Sequence, residues 1–310
     1  MEIRRLEITH SHFSLSPAPC TTAMLQLTVH TTIDSFLAAA EADLARDEVT
    51  NGLILGVALR LKQDPARFEH RPYLATVSDD GALAAAAVMT PPHGVVLYVA
   101  DNVEPAPPLQ LIAANLVSAG WTVPTANGVA HISRAFIEEW KALTGGAAEL
   151  LLAMRVYELR AVIPPAHVAG ELCQATYADL DLVYDWYMAF RNETVPTDAP
   201  PRRENIERSL NEGSIFLWKV DGRSVSLAAK GRRTPHGTSI GPVYTPPEQR
   251  GRGYASACVA ALSQRILDEG KEFCTLFTDL ANPTSNSIYQ KIGYRPVCDF
   301  AQHTLLPVAW

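Results

Sequence analysis

The sequence predicts an α/β protein of the α+β kind, built from two similar halves in tandem, each a mixed, largely antiparallel sheet flanked by helices. Three observations predict it. The chain has 310 residues, 47% of them hydrophobic and 19% charged, which is apolar material for two cores of ordinary domain size. Near the middle, Ile163-Pro164-Pro165 reads as a linker, because proline has no N–H for a strand ladder and restricts the residue before it. On either side of it the same order can be read: strand, two helices, three strands, helix, strand, helix, strand. The expected division is a tail over 1–23, a first domain over 24–162 and a second over 166–310.

In the first half, Leu25 to Val29 opens as a strand. Ile33, Phe36, Leu37 and Leu44 recur at helical spacing after it, with Asp34 near the helix start, and Ile54 to Leu61 is a second helical stretch. Tyr73 to Val77 and Ala84 to Met89 are short strands either side of the turn Ser78-Asp79-Asp80-Gly81, and Val95 to Val99 is a third. Leu109 to Ala119 and Ser133 to Thr144 read as helices, and Leu150 to Leu159 as a long apolar strand. Pro124-Thr125-Ala126-Asn127-Gly128 reads as a turn.

The second half repeats this with Glu171 to Ala175 as a strand and helices over Leu180 to Arg191 and Arg203 to Leu210. Ile215 to Val220 and Val225 to Gly231 form a hairpin across Asp221-Gly222, a strong turn pair. Ile240 to Tyr244 is a strand, and Tyr254 to Glu269 a helix stopped by Gly270. Phe273 to Thr278, Ser285 to Ile292 and Val297 to Leu306 follow as strand, helix and strand.

The net charge of −7 argues against non-specific binding of nucleic acid. No apolar run approaches the roughly 20 residues of a membrane helix, and Met1 to Ala23 has no apolar stretch of the kind a secretory signal carries. Cys20, Cys173, Cys258, Cys274 and Cys298 are odd in number and scattered, without metal-ligand spacing, as expected of free thiols in a cytoplasmic protein.

The chemistry concentrates in Ile240-Gly241-Pro242-Val243-Tyr244-Thr245-Pro246-Pro247-Glu248-Gln249-Arg250-Gly251-Arg252-Gly253-Tyr254-Ala255. A strand runs into a loop of glycine and arginine that opens a helix. Gly251 and Gly253 let backbone N–H groups approach a ligand, and the helix start adds unpaired N–H groups and a positive dipole end. Arg250 and Arg252 add charge, so the loop suits a pyrophosphate. A dinucleotide site fits less well. The third glycine of G-x-G-x-x-G is Ser256, the loop is too long, and the preceding hairpin makes the local sheet antiparallel. No G-K-[S/T] follows the glycines, which excludes a P-loop.

Arg250-Gly251-Arg252-Gly253-Tyr254-Ala255 resembles the R/Q-x-x-G-x-G/A acyl-CoA motif of the GCN5-related N-acetyltransferases. Asn282-Pro283-Thr284-Ser285-Asn286-Ser287-Ile288-Tyr289-Gln290-Lys291-Ile292-Gly293-Tyr294 resembles that family's second signature, an asparagine after a strand followed by a tyrosine-bearing helix. The resemblance covers Ala166 to Trp310 and implies acetyl transfer from acetyl-CoA to a small-molecule or peptide amine, with no metal. It implies that Val243 and Tyr244 pair with the pantetheine arm and that a backbone N–H there meets the oxyanion. The N–H groups of Gly251, Arg252, Gly253, Tyr254, Ala255 and Ser256 would cradle the pyrophosphate, and Asn282 would hold the thiol end. Tyr289 would donate a proton to the departing thiolate; by spacing alone it could equally be a core aromatic beside Ile288 and Ile292. Asp279 and Glu193 are alternative general bases, each equally readable as a capping or surface carboxylate. A second reading is a non-catalytic acyl-CoA sensor or scaffold.

The matching segment of the first half, Val99-Ala100-Asp101-Asn102-Val103-Glu104-Pro105-Ala106-Pro107-Pro108, has no glycine, three prolines and two carboxylates that repel phosphate. This half is expected to have lost the site and to support the other, by completing a shared core or covering the acceptor cleft.

Overall fold

The computed structural model describes residues 25–166, 168–194 and 200–306. The tail 1–23, with Cys20, and most of the loop from Thr194 to Arg203 expected to shape the acceptor pocket lie outside the described residues.

The element order follows the predicted one, except that the first half has a strand where a turn was expected. The first half has β1 (Gln26–Val29), α1 (Ile33–Leu44), α2 (Gly52–Gln63), β2 (Tyr73–Asp79), β3 (Ala82–Met89), β4 (Val95–Val99), α3 (Ala106–Ser118), β5 (Thr125–Val129), α4 (Ala130–Thr144) and β6 (Ala147–Leu159). The second has β7 (Glu171–Gln174), α5 (Leu180–Thr194), α6 (Arg203–Asn211), β8 (Ile215–Val220), β9 (Arg223–Arg233), β10 (Gly237–Tyr244), α7 (Tyr254–Asp268), β11 (Phe273–Asp279), α8 (Pro283–Lys291) and β12 (Arg295–Leu306). The two hairpins turn on Asp80-Gly81 and Asp221-Gly222, all four residues at positive φ, as a two-residue turn matching strand twist requires.

The segment 124–128, read as a turn, is instead mostly strand β5. Its Thr-Ala-Asn-Gly-Val sequence has little strand propensity of its own. Pairing imposes the conformation: Val95 and Val96 of β4 on one side, Thr125 to Val129 against β12 on the other.

The twelve strands of the described residues form one sheet in the order β1-β2-β3-β4-β5-β12-β6-β11-β10-β9-β8-β7. The two halves exchange their last strands. β12 of the second half pairs with β5 of the first, β6 of the first pairs with β11 of the second, and β6 and β12 run antiparallel at the centre from Arg295↔Glu158 to Leu306↔Ala147. Directly opposed Arg155 and Asp299 add a two-pronged pair, Nε to Oδ1 at 2.6 Å and an η nitrogen to Oδ2 at 3.0 Å.

The cores follow the exchange. Tyr157 and Leu159 of β6 are buried among α7 and α8, and Leu305 of β12 is buried with Phe136 and Trp140 of α4. Val156 and Phe300 meet Val49 and Phe273 at the junction. The opposite faces are covered by α1 and α2 in one half and by α5 and α6 in the other.

Candidate functional site

β10 and β11 are parallel neighbours only at Gly237↔Phe273, Thr238↔Cys274 and Ser239↔Thr275. Beyond Ser239 they part: β10 continues along β9 to Tyr244, with an irregularity between Ile240 and Val243, while β11 continues along β6 to Asp279. The parting leaves backbone groups of β10 without a strand partner on one side, which a polar chain can pair with. The gap opens into a cleft of about 2210 Å³ that runs between the halves, from Thr90 and Asn127 to the glycine loop and Tyr289.

The loop leaves β10 through Pro246 and Pro247 and reaches α7 through two left-handed glycines, Gly251 at φ +77° and Gly253 at φ +80°. A Cβ at Gly251 would meet nothing, whereas one at Gly253 would lie 3.0 Å from Val168 Cγ2. Gly253 is the N-cap of α7 and brings no side chain to it, so the first N–H groups of Tyr254, Ala255 and Ser256 depend on an outside partner. These residues line the cleft with Val243, Tyr244, Arg250, Asn282 and Tyr289; Arg252 is exposed and not part of the lining. Free N–H groups with the positive end of a helix behind them suit an anionic group.

Arg250 is turned onto its own domain. Its Nε donates to the Thr245 carbonyl at 2.9 Å and an η nitrogen to Glu193 at 2.7 Å, and it lies over the Tyr244 ring. The Tyr244 hydroxyl donates to the other Glu193 oxygen at 3.3 Å; burial first, then that carboxylate, pushes the phenol's pKa up. Glu193 therefore ties α5 to the end of β10 through both oxygens. Asp279 uses Oδ1 to accept from the Ala281 N–H at 2.8 Å, and Asn282 caps α8 by accepting from the Ser285 N–H at 3.0 Å. Both line the cleft while shaping the turn between β11 and α8.

Tyr289 is 9% exposed, packs edge-on to Tyr294, and burial pushes its pKa up to about 12. Its hydroxyl has no hydrogen-bond partner among the described residues and is protonated at neutral pH. Sequence reasoning missed what holds its helix. Tyr157 of the exchanged strand β6 donates to Asn286 Oδ1 at 2.8 Å and accepts from Gln290 Nε2 at 3.1 Å. Asn286 Nδ2 in turn donates to the Asp279 and Asn282 carbonyls at 2.9 and 2.7 Å. The first half thus positions the tyrosine helix of the second. No local signal in the sequence pairs Tyr157 with Asn286.

In the first half β4 and β5 also pair briefly and part, but the helix beyond them is capped by Pro105 with Pro107 and Pro108 in its first turn. Those prolines carry no N–H, and Asp101 and Glu104 are exposed beside them. Among the described residues no His, Cys, Asp and Glu cluster could hold a metal, and no helix is long and apolar enough to cross a membrane.

Residues 220–302 match the family model described as FR47-like protein, and a search of curated proteins gives no match. Among solved structures, a GCN5-related N-acetyltransferase from Sphaerobacter thermophilus is similar at 16% identity and TM-score 0.59, covering 89% of this chain and 94% of that one. A GNAT-family acetyltransferase from Colwellia psychrerythraea is similar at 10% identity and TM-score 0.56, covering 91% and 99%. A tandem GNAT protein from the clavulanic acid biosynthesis pathway is similar at 13% identity and TM-score 0.55, covering 91% and 98%. With its parting strands, glycine loop and exchanged halves, the chain has the tandem fold of the GCN5-related N-acetyltransferase superfamily, and its FR47-like segment lies in the half that keeps the loop.

Proposed function

We propose that the chain is an N-acetyltransferase that moves an acetyl group from acetyl-CoA to an amine. The observation that carries this reading is a single cleft holding three things together: strands that part beside a bulged β10, a glycine loop opening α7, and an unpartnered phenol on α8. Acetyl-CoA supplies an activated thioester. N–H groups of Gly251 to Ser256 hold its diphosphate, the free edge of β10 at Val243 and Tyr244 pairs with the pantetheine, and a β10 N–H meets the carbonyl oxygen as charge develops. Positioning brings the amine nitrogen to the thioester carbon; the C–N bond forms, the C–S bond breaks, the amine's proton passes to water in the cleft, and the thiolate takes up a proton from solvent. The Tyr289 hydroxyl donates its hydrogen bond to the sulfur that leaves. The first half serves as support and takes no acetyl-CoA, so the whole chain is the working unit. The free thiols buried at Cys258 and Cys274 suit a cytoplasmic setting.

The test is calorimetric titration with acetyl-CoA, followed by thiol release over a panel of amines. One site per chain is expected, with a stabilisation of about 2.7 kcal/mol at ~100 times the dissociation constant. Two equivalent sites would refute the loss of the first one. Tight binding without thiol release for any amine would favour a sensor over an enzyme.

A further inference from the structure

The cleft wall between the halves is rich in cations, most of them paired. Arg67 faces Glu212 at 3.8 Å, Arg208 faces Asp64 at 2.9 Å, and Arg202 faces Glu69 at 2.6 Å. Three guanidiniums in the same wall, those of Arg60, Arg232 and exposed Arg233, have no carboxylate at ion-pair distance among the described residues. Arg60 of α2 donates only to the Gly231 carbonyl, at 2.8 Å. Arg232 of β9 has a buried Nε without a hydrogen-bond partner, and its guanidinium lies 5.7 Å from the centre of the Phe277 ring.

Position adds to this. The Arg232 N–H donates to Ser239 Oγ at 2.8 Å, and Ser239 is the last residue of β10 paired with β11. Phe277 lies on the parted stretch of β11. Arg232 therefore stands at the apex where the strands open. The diphosphate cradle begins beyond Tyr244, five residues and about 16 Å further along the strand. α2 closes over the arginine from the first half: a Cβ on Gly56 would fall 2.8 Å from Arg232 Cβ. Burial, then the Arg60 charge, lowers the Arg232 pKa to about 10; Arg60 is itself lowered, by burial and by neighbouring Arg67 and Arg233, against the opposing pull of Glu212 and Asp64. Two like charges gathered in a half-buried wall, Arg232 with no carboxylate near it, destabilise the free protein, and an anion that enters relieves this. The planar guanidinium matches carboxylate or phosphate in two-pronged fashion.

We infer that Arg232, with Arg60, forms an anion subsite at the apex of the cleft, and that the acceptor is an amine carrying a carboxylate or phosphate group. The inference rests on the proposed acetyl transfer for the word acceptor; the anion subsite itself does not.

The test is calorimetry on the full chain saturated with CoA, which fills the other anion site. Succinate and inorganic phosphate serve as probes, and 4-aminobutyrate is compared with butylamine. Wild-type protein is expected to bind at least one of the two anions at one site per chain, and to bind 4-aminobutyrate at least tenfold more tightly than butylamine. In Arg232→Met, anion affinity should fall at least tenfold, about 1.4 kcal/mol. The same variant should melt no lower than wild type in anion-free buffer, because methionine removes an uncompensated charge. Which anion binds distinguishes carboxylate from phosphate. Failure of wild type to bind either anion, undiminished binding in the methionine variant, or a lower melting temperature in that variant would each overturn the inference. CoA that fails to bind, beside an Arg232-dependent anion site, would instead overturn the acetyl-transfer reading and leave the subsite standing.

Discussion

Tyr289→Phe removes one hydroxyl and keeps the ring that packs against Tyr294. A free thiol has a pKa of about 8.5, and the phenol is pushed up to about 12. Burial raises a thiol as it raises a phenol, so the difference between their ordinary values, about 1.5 pKa units, is what remains: full proton transfer to the leaving thiolate runs uphill by about 2 kcal/mol. The structure thus favours a hydrogen bond to the thiolate over a completed transfer. A hydrogen bond to a charged group is worth about 1.5–3 kcal/mol, so kcat should fall about 10- to 10²-fold, at or below the low end for acid–base catalysis. Stability should hardly move, since no partner of the hydroxyl is lost among the described residues, and acetyl-CoA affinity should hold. The phenol stays protonated through the usual assay range, so kcat should show no alkaline limb from this group below about pH 10. The assay is thiol release from acetyl-CoA with an active amine, or slow hydrolysis as a surrogate, alongside calorimetry and thermal melting. Wild-type turnover in the phenylalanine variant would refute the reasoning and leave Tyr289 as a packing residue.

Gly253→Asp places a carboxylate in the cradle and a Cβ 3.0 Å from Val168, at φ +80°; acetyl-CoA affinity should fall at least about tenfold by calorimetry in a protein that circular dichroism shows to be folded. Residues 166–310 expressed alone lack β6 and with it the burial of Val156, Tyr157 and Leu159. At about 1.5–3 kcal/mol per side chain the loss is roughly 5–9 kcal/mol, comparable to a domain's whole stability. The fragment should be unfolded by near-ultraviolet circular dichroism, and a cooperative melt would refute the exchange. Buried Glu48 joins the halves by accepting from the His236 backbone at 2.9 Å and from its ring. Burial pushes the Glu48 pKa up, but hydrogen bonds from Thr234 and His236 outweigh this and hold it below its ordinary 4.5, while the Glu48 hydrogen bond and charge hold His236 above its ordinary 6.5. The histidine's contribution is full below pH 6.5 and lost as pH rises through its raised value; the carboxylate's is full above 4.5 and lost as pH falls through its lowered value. Glu48→Gln should therefore lower the melting temperature most between about pH 5 and 6.5, and an equal loss at pH 9 would contradict this.

The sequence by itself determined most of the elements and the glycine loop, because both are local. Asp80-Gly81 and Asp221-Gly222 force their hairpins, and Gly251 and Gly253 supply the positive φ through which the chain enters α7. The contrast between that loop and Pro107-Pro108 in the other half is likewise written in residue types, through the N–H groups that proline lacks. Only the tertiary structure decided what depends on partners distant along the chain. β5 is a strand because β4 and β12 pair with it; Glu193 is engaged because Tyr244 and Arg250 reach it; the Tyr289 helix is set by Tyr157 from across the linker. The exchange of β6 and β12 belongs to the same class. Within one half β6 could have paired with β5, and periodicity cannot tell that neighbour from β11, since either would bury the same alternating face. Pairing energy and side-chain burial summed over both halves choose between them, so the core beneath the candidate site of the second half is completed by a strand from the first.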